Sequence, residues 1–248
     1  MDAAAHHPVR GHRAARGSHR GRDPRDPRVT AGYFITGTDT DAGKTYVSCA
    51  LASRARSLGH RVFAFKPIET GCATGPTGLI GADQELLAAA AGDWQQGDLR
   101  GRYRFPLPAA PLVAAEHAGQ SIDLALVTAI ARSGMSLATL TIVEGAGGWR
   151  VPITPATDMG SLARLLALPV IVVARARLGT INHTLLTIEA IEHDGVPIAC
   201  VILSQRPEDD PDAARSNQTQ IQRRWHGRII LLGADPAVLD PLLAQRST

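Results

Sequence analysis

The chain has 248 residues, 44% of them apolar and 20% charged, with a formal net charge of +3; it is long enough to bury a substantial core, and the usual size of folded units favours one domain. Aromatic residues make up only 4% and small aliphatic ones dominate, which favours a helix-covered parallel sheet (α/β) over a many-stranded sandwich. No secretory apolar region and no membrane-length apolar run is present, so the expectation is a soluble, cytoplasmic protein without a membrane partner.

Residues 1–30 differ in kind from the rest. Arg10, Arg13, Arg16, Arg20, Arg22, Arg25 and Arg28 stand against Asp2, Asp23 and Asp26, so seven Arg less three Asp give this segment +4 and leave the remainder at about −1. With almost no large apolar side chain it has nothing to bury, and a disordered basic N-terminal extension is expected. A nucleic-acid-binding arm and a merely solvated extension both fit it. No basic patch with interleaved aromatics follows, so no nucleic-acid partner is expected. Its acids, its prolines and its lack of amphipathic period argue against a mitochondrial presequence.

From residue 31 to 248 a single domain is expected, in which short β-branched runs alternate with helical patterns, the signature of βαβ units. Strands are predicted at 33–36, 61–66, 139–143, 170–174, 198–203 and 229–232. A helix over 43–58 carries Val47, Ala50, Leu51 and Leu58 on one stripe, and Gly59 stops it. Another over 179–193 carries Ile181, Leu185, Ile188 and Ile191. Residues 81–134 read as two or three helices without a clear strand, joined by the loop around Pro106, Pro108 and Pro111. Cys49, Cys72 and Cys200 fit no metal or disulfide spacing and read as reduced, buried thiols.

The segment GTDTDAGKT, residues 37–45, follows an apolar strand and opens a helix. In that context loop amides, first-turn amides and the helix dipole converge on one spot and favour an anion. Lys44 can then reach the β- and γ-phosphates of a nucleoside triphosphate while Thr45 ligates magnesium (Mg2+). One irregularity stands out: the glycines are separated by five residues instead of four, with Thr38 where the first glycine is expected. In VEGAGG, Glu144 ends an apolar strand and Gly145, Ala146 and Gly147 follow. Ligands in open α/β sheets sit beyond the carboxyl ends of strands, so Glu144 would face the same crevice and bind magnesium with Thr45. Taken alone, a strand-ending acid in a glycine-rich turn explains it equally well. Lys66 in KPIETG and Asp83 at a helix start also have ordinary structural readings when taken singly, as a solvated lysine before a proline turn and as a dipole-favoured carboxylate.

Together, GTDTDAGKT, KPIETG, VEGAGGWRVPI and LGTINHTLLT occur in the order and spacing of dethiobiotin synthetases, and the chain resembles that family over residues 31–243. The family's own phosphate loop has the five-residue spacing. The resemblance implies a three-layer P-loop NTPase fold, a mostly parallel sheet with helices on both faces. It implies an ATP- and magnesium-dependent ligase that forms the ureido ring of dethiobiotin from 7,8-diaminononanoate and CO2 (bicarbonate) in biotin synthesis. The steps implied are a carbamate, then a mixed carbamic-phosphoric anhydride, then ring closure with loss of phosphate. This is phosphoryl transfer followed by acyl-type attack.

Residue by residue, the resemblance puts Asp41, Ala42, Gly43, Lys44, Thr45 and Tyr46 around the triphosphate, with Gly145, Ala146 and Gly147 also on the nucleotide. Thr45, Asp83 and Glu144 would surround magnesium, and Lys44 and Lys66 would be catalytic, Lys66 beside the carbamate and γ-phosphate. Thr38, Thr40 and Thr70 would meet the substrate. Gly179, Thr180, Ile181 and Asn182 would meet its carboxylate from the partner subunit of a homodimer; without the resemblance that segment reads as a helix start capped by Asn182 with a packed His183. Ser204 and Gln205, with Pro236, Ala237 and Val238, fall where the family contacts the base. Family members commonly have Asn where this chain has Ser204, and one hydroxyl replaces a paired donor and acceptor, so ATP is the expected co-substrate with another triphosphate as the alternative. The rival reading is a partner-regulated ATPase switch of the ParA/MinD type. Those proteins carry an extra lysine near the start of the loop, and residues 37–42 contain none.

Overall fold

The computed structural model describes residues 31–76 and 78–244; the basic extension expected over residues 1–30 lies outside them. Six strands form one sheet: β1 (Ala31–Gly37), β2 (Val62–Phe65), β3 (Leu140–Gly148), β4 (Val170–Arg175), β5 (Ile198–Ser204) and β6 (Ile229–Leu232). Their order is β6-β5-β4-β1-β3-β2 and every pairing within this sheet is parallel. Parallel strands need crossovers, and the helices supply them: α1 (Lys44–Ser57), α2 (Ala82–Ala91), α3 (Pro111–His117), α4 (Leu124–Ser136), α5 (Met159–Leu166), α6 (Thr180–His193), α7 (Pro211–Gln222) and a short α8 (Asp240–Leu243).

Strand side chains alternate between two cores, which makes three layers. On one face Phe34, Val143, Val172 and Val201 pack with Val127 and Ile130 of α4, Leu162 of α5, Ile188 of α6 and Ile221 of α7. On the other, Ile35, Ile142, Val173 and Ile202 pack with Val47 and Leu51 of α1 and Leu87 of α2. Both faces of the sheet are covered, so its strands read as continuous apolar runs, and this is why all six were visible in the sequence.

Four local expectations are corrected. The insertion over 81–134 contains a strand, Tyr103–Phe105, parallel to Ile68–Thr70; three residues are too few to show an alternation. The buried stripe of α1 is Val47, Ser48, Leu51, Ala52 and Ala55, while Leu58 lies past the end of the helix and is 49% exposed. On α6 the buried positions are Thr180, Thr184, Ile188 and Ile191, with Ile181 and Leu185 only partly covered. Strand β3 runs on through Gly148, which pairs with Gly37, so VEGAGG continues the sheet instead of turning away.

Candidate active site

Because the sheet is parallel, the carboxyl ends of its strands share one edge, and the residues that follow them share one crevice. The phosphate loop leaves β1 at that edge. Gly43 adopts φ 96°, and a Cβ there would lie 2.7 Å from Ser204 Oγ; only glycine fits both the left-handed backbone and the space. No side chain caps the start of α1, which leaves that helix end to a ligand anion. Lys44 is buried, and its Nζ donates to the Asp39 carbonyl at 3.1 Å. Burial pushes its pKa down, although Glu144 pulls the other way.

Strand register builds the second half. Phe65 of β2 is paired with Val143 of β3, so Lys66 and Glu144 emerge side by side. Lys66 Nζ donates to Glu144 Oε1 at 3.0 Å and to Asp83 Oδ2. Thr45 Oγ1 donates to the same Glu144 oxygen at 2.8 Å. Burial alone would lower the Lys66 pKa, but Glu144 and Asp83 reverse that and hold it above the ordinary lysine value. Lys66 is therefore a permanent cation at neutral pH.

Asp83 and Lys66 are held by a network that sequence reading missed. The Glu69 carboxylate, itself buried, accepts the backbone N–H of Asp83 at 2.8 Å and of Gln84 at 3.1 Å. Gln84 Oε1 in turn accepts the Lys66 backbone N–H at 2.6 Å. One glutamate thus fixes both the helix start that presents Asp83 and the strand end that presents Lys66. Burial raises the Glu69 pKa, opposed by those two N–H bonds and by Lys66. KPIETG displayed Glu69, but nothing local marked it as a cap for a helix thirteen residues away.

A cavity of about 650 Å³ opens over these groups. Thr40, Asp41, Gly43, Lys44, Thr45 and Tyr46 line one side of it. Lys66, Thr70, Asp83, Ala146 and Gly147 line another, and Pro108, Ala109, Ala110, Pro111 and Val151 form an apolar wall. Arg206 lines it too, a residue to which the sequence attached no role. Of the expected site residues, Ala42, Gly145 and Glu144 are buried behind the lining, and Thr38 is tied by its N–H to the Val173 carbonyl. Ser204 is 2% exposed and backs onto Gly43. Gln205 is held by its N–H to the Leu232 carbonyl, and Pro236, Ala237 and Val238 are exposed. Gly179, Thr180, Ile181 and Asn182 do not line this cavity; Asn182 and His183 are exposed and neither caps α6.

The donor set fits magnesium. Glu144 is fully buried, yet its Oε2 has no hydrogen-bond partner among the described residues, a costly arrangement that a cation would relieve. Beside it stand the Thr45 hydroxyl and the Asp83 carboxylate, hard oxygen donors of the kind that hold magnesium with phosphate oxygens and water. Among the described residues no group of three or more His, Cys, Asp or Glu gathers to hold a metal ion, and the donors here are two carboxylates and a hydroxyl. Nor is any described helix long and apolar enough to cross a membrane.

A family described as an AAA domain matches residues 31–237. The ATP-dependent dethiobiotin synthetase BioD of Anaeromyxobacter dehalogenans (strain 2CP-C) is 43% identical over 196 residues, 79% of this chain and 86% of that protein. The protein of the same name from Cellvibrio japonicus (strain Ueda107) is 40% identical, covering 72% of this chain and 78% of its own. Among solved structures, the signal recognition particle receptor FtsY from Elizabethkingia anophelis superposes with a TM-score of 0.51 at 12% identity, over 88% of this chain and 68% of that one; at that identity it supports the fold alone. With its phosphate loop, its Lys66–Glu144–Thr45 cluster and relatives of this similarity over most of its length, the chain belongs to the dethiobiotin synthetase family.

Proposed function

We propose that this chain is an ATP-dependent ligase that closes the ureido ring of dethiobiotin from 7,8-diaminononanoate and CO2. The observation that carries this reading is the convergence of Lys66, Asp83, Thr45 and Glu144 beside the phosphate loop. The triphosphate lies along residues 41–46, with Lys44 on its β/γ end. Thr45, Asp83 and Glu144 would hold magnesium, which would neutralise charge on the phosphate oxygens.

One substrate amine adds to CO2 and loses a proton, giving a carbamate that lies over Thr70 and beside Lys66. A carbamate oxygen attacks the γ-phosphorus, the bond to the β-phosphate oxygen breaks, and ADP departs. The second amine then attacks the carbonyl carbon of the mixed anhydride, phosphate leaves, and the ring closes with loss of that amine's proton. Lys66 supplies a fixed cation where negative charge gathers during transfer, and it does so without reorganising. The apolar wall of Pro108, Pro111 and Val151 suits the methylene chain of the substrate and excludes water that would hydrolyse the anhydride.

The substrate carboxylate is met by residues 178–184 of a second copy. In support, Leu178 is 98% exposed, Asn182 is exposed, and no side chain caps this helix start. Such a helix end is a natural carboxylate site. Location in the cytoplasm follows from the same reading. The test is product formation from diaminononanoate and bicarbonate with each of the four triphosphates. Nucleotide hydrolysis stimulated only by a protein, DNA or lipid would point to the ParA/MinD-type switch instead.

A further inference from the structure

Arg206 belongs to no motif, yet it reaches the cavity that also takes Asp41, Gly43 and Tyr46. Its position follows from topology. Lys66 follows β2, two strands from β1 on one side, while Arg206 follows β5, two strands from β1 on the other. With the phosphate loop in the middle and the γ end directed at Lys66, the opposite end of a bound nucleotide points toward β5. Ser204, the residue of that strand end with a hydroxyl, is turned back against Gly43 and is 2% exposed. Arg206 is the cationic side chain at that side of the cavity lining.

The segment that carries it is unusually well fixed for a loop. Ala176 donates to the Ser204 carbonyl at 3.0 Å and Gln205 donates to the Leu232 carbonyl at 2.9 Å. Asp209 accepts the Arg206 N–H at 2.7 Å and returns its own N–H to the Arg206 carbonyl at 3.0 Å. The Asp209 carboxylate is in turn gripped by Arg175 Nη2 at 3.1 and 3.3 Å, and both of these side chains are nearly buried. The Arg206 guanidinium is half exposed, and its ion partner among the described residues is Glu208 at 3.9 Å. A buried ion pair thus holds a backbone still while the side chain on it remains free to take a ligand.

We propose that Arg206 grips the nucleoside end of the bound triphosphate and that Arg175–Asp209 is the positioning pair that presents it. This rests on the nucleotide-dependent reading above. A guanidinium offers donors only, which suits acceptor atoms of a base edge, ribose or α-phosphate.

The test is calorimetry of the full chain with each of the four magnesium triphosphates, without diaminononanoate, so that nothing turns over. Arg206→Ala is expected to weaken the best-bound triphosphate about tenfold, and Arg206→Lys about half as much on a logarithmic scale. Thermal midpoints should stay unchanged, because the side chain is half exposed. Asp209→Asn should weaken the same nucleotide, and the Arg206→Ala/Asp209→Asn double variant should bind no worse than Arg206→Ala alone, the signature of one acting through the other. Unchanged affinity in Arg206→Ala overturns the contact, and fully additive losses overturn the positioning role. Failure of the unaltered protein to bind any triphosphate would instead defeat the nucleotide reading itself.

Discussion

Lys66 and Glu144 stand side by side because the residues before them, Phe65 and Val143, are register partners in neighbouring parallel strands, and Lys66 Nζ comes within 3.0 Å of Glu144 Oε1. The same carboxylate oxygen accepts the Thr45 hydroxyl at 2.8 Å. A cation, a carboxylate and the hydroxyl of the phosphate loop therefore meet at one point, and the experiments below test what each supplies.

Lys66→Ala should keep nucleotide binding and lose turnover by roughly 10²–10³-fold, because the phosphate loop is intact while charge at the transferring group is no longer neutralised. It should also lose stability without ligand, by roughly 3–5 kcal/mol, since it strips a buried carboxylate of its ion-pair partner. Magnesium with nucleotide should restore part of that loss. Calorimetry, steady-state rates and thermal midpoints check the three parts; an equal fall in affinity and rate would contradict the role.

Glu69 caps the backbone N–H groups of Asp83 and Gln84, and Gln84 holds the Lys66 backbone. Glu69→Ala is expected to raise the magnesium concentration needed for half-maximal activity by about 10–100-fold, as losses of outer-shell partners commonly do. Glu69→Gln should recover part of it, because its amide oxygen still accepts one N–H. A magnesium titration of activity distinguishes this from general damage, which would lower the maximal rate and leave the midpoint alone.

Burial pushes the thiols of Cys49 and Cys200 up to about 12 from the ordinary 9.0; at Cys49 the Glu144 and Asp83 charges add to it. Thiolate is the reactive form, so alkylation of the folded protein at pH 8 should run roughly 10²–10³-fold slower at both than in the unfolded chain. The sign for stability follows. Below pH 9 both states keep the proton; as pH rises toward 12 the unfolded chain releases it first, and stability falls. Peptide mass spectrometry after timed labelling reads the rates. Rapid native labelling of Cys200 would show that this strand opens easily.

If a second copy completes the substrate site, Asn182→Ala should raise the KM for diaminononanoate several-fold more than that for nucleotide, because Asn182 lies outside the cavity around the phosphate loop. The chain should sediment as a dimer at assay concentration. An active monomer would refute the shared site.

The six strands and the phosphate loop were legible in the sequence, while Lys66, Asp83 and Glu144 stood out from their ordinary structural readings only through the family resemblance. The strands and the loop are written locally: doubly covered strands are continuous apolar runs, and GTDTDAGKT joins a strand to a helix. The strand order was not local, nor were the register that seats Lys66 beside Glu144, the capping of Asp83 by Glu69 and the arrival of Arg206 at the cavity. Each depends on which segments lie together after the sheet has closed, with 78 residues separating Lys66 from Glu144. Chain proximity leaves its mark on composition and period, whereas contacts between distant segments are decided by parallel register and two-sided packing. Tertiary structure thus turned Glu69 from one letter of KPIETG into the support of two site residues. It also packed Ser204, 2% exposed, against Gly43 of the phosphate loop.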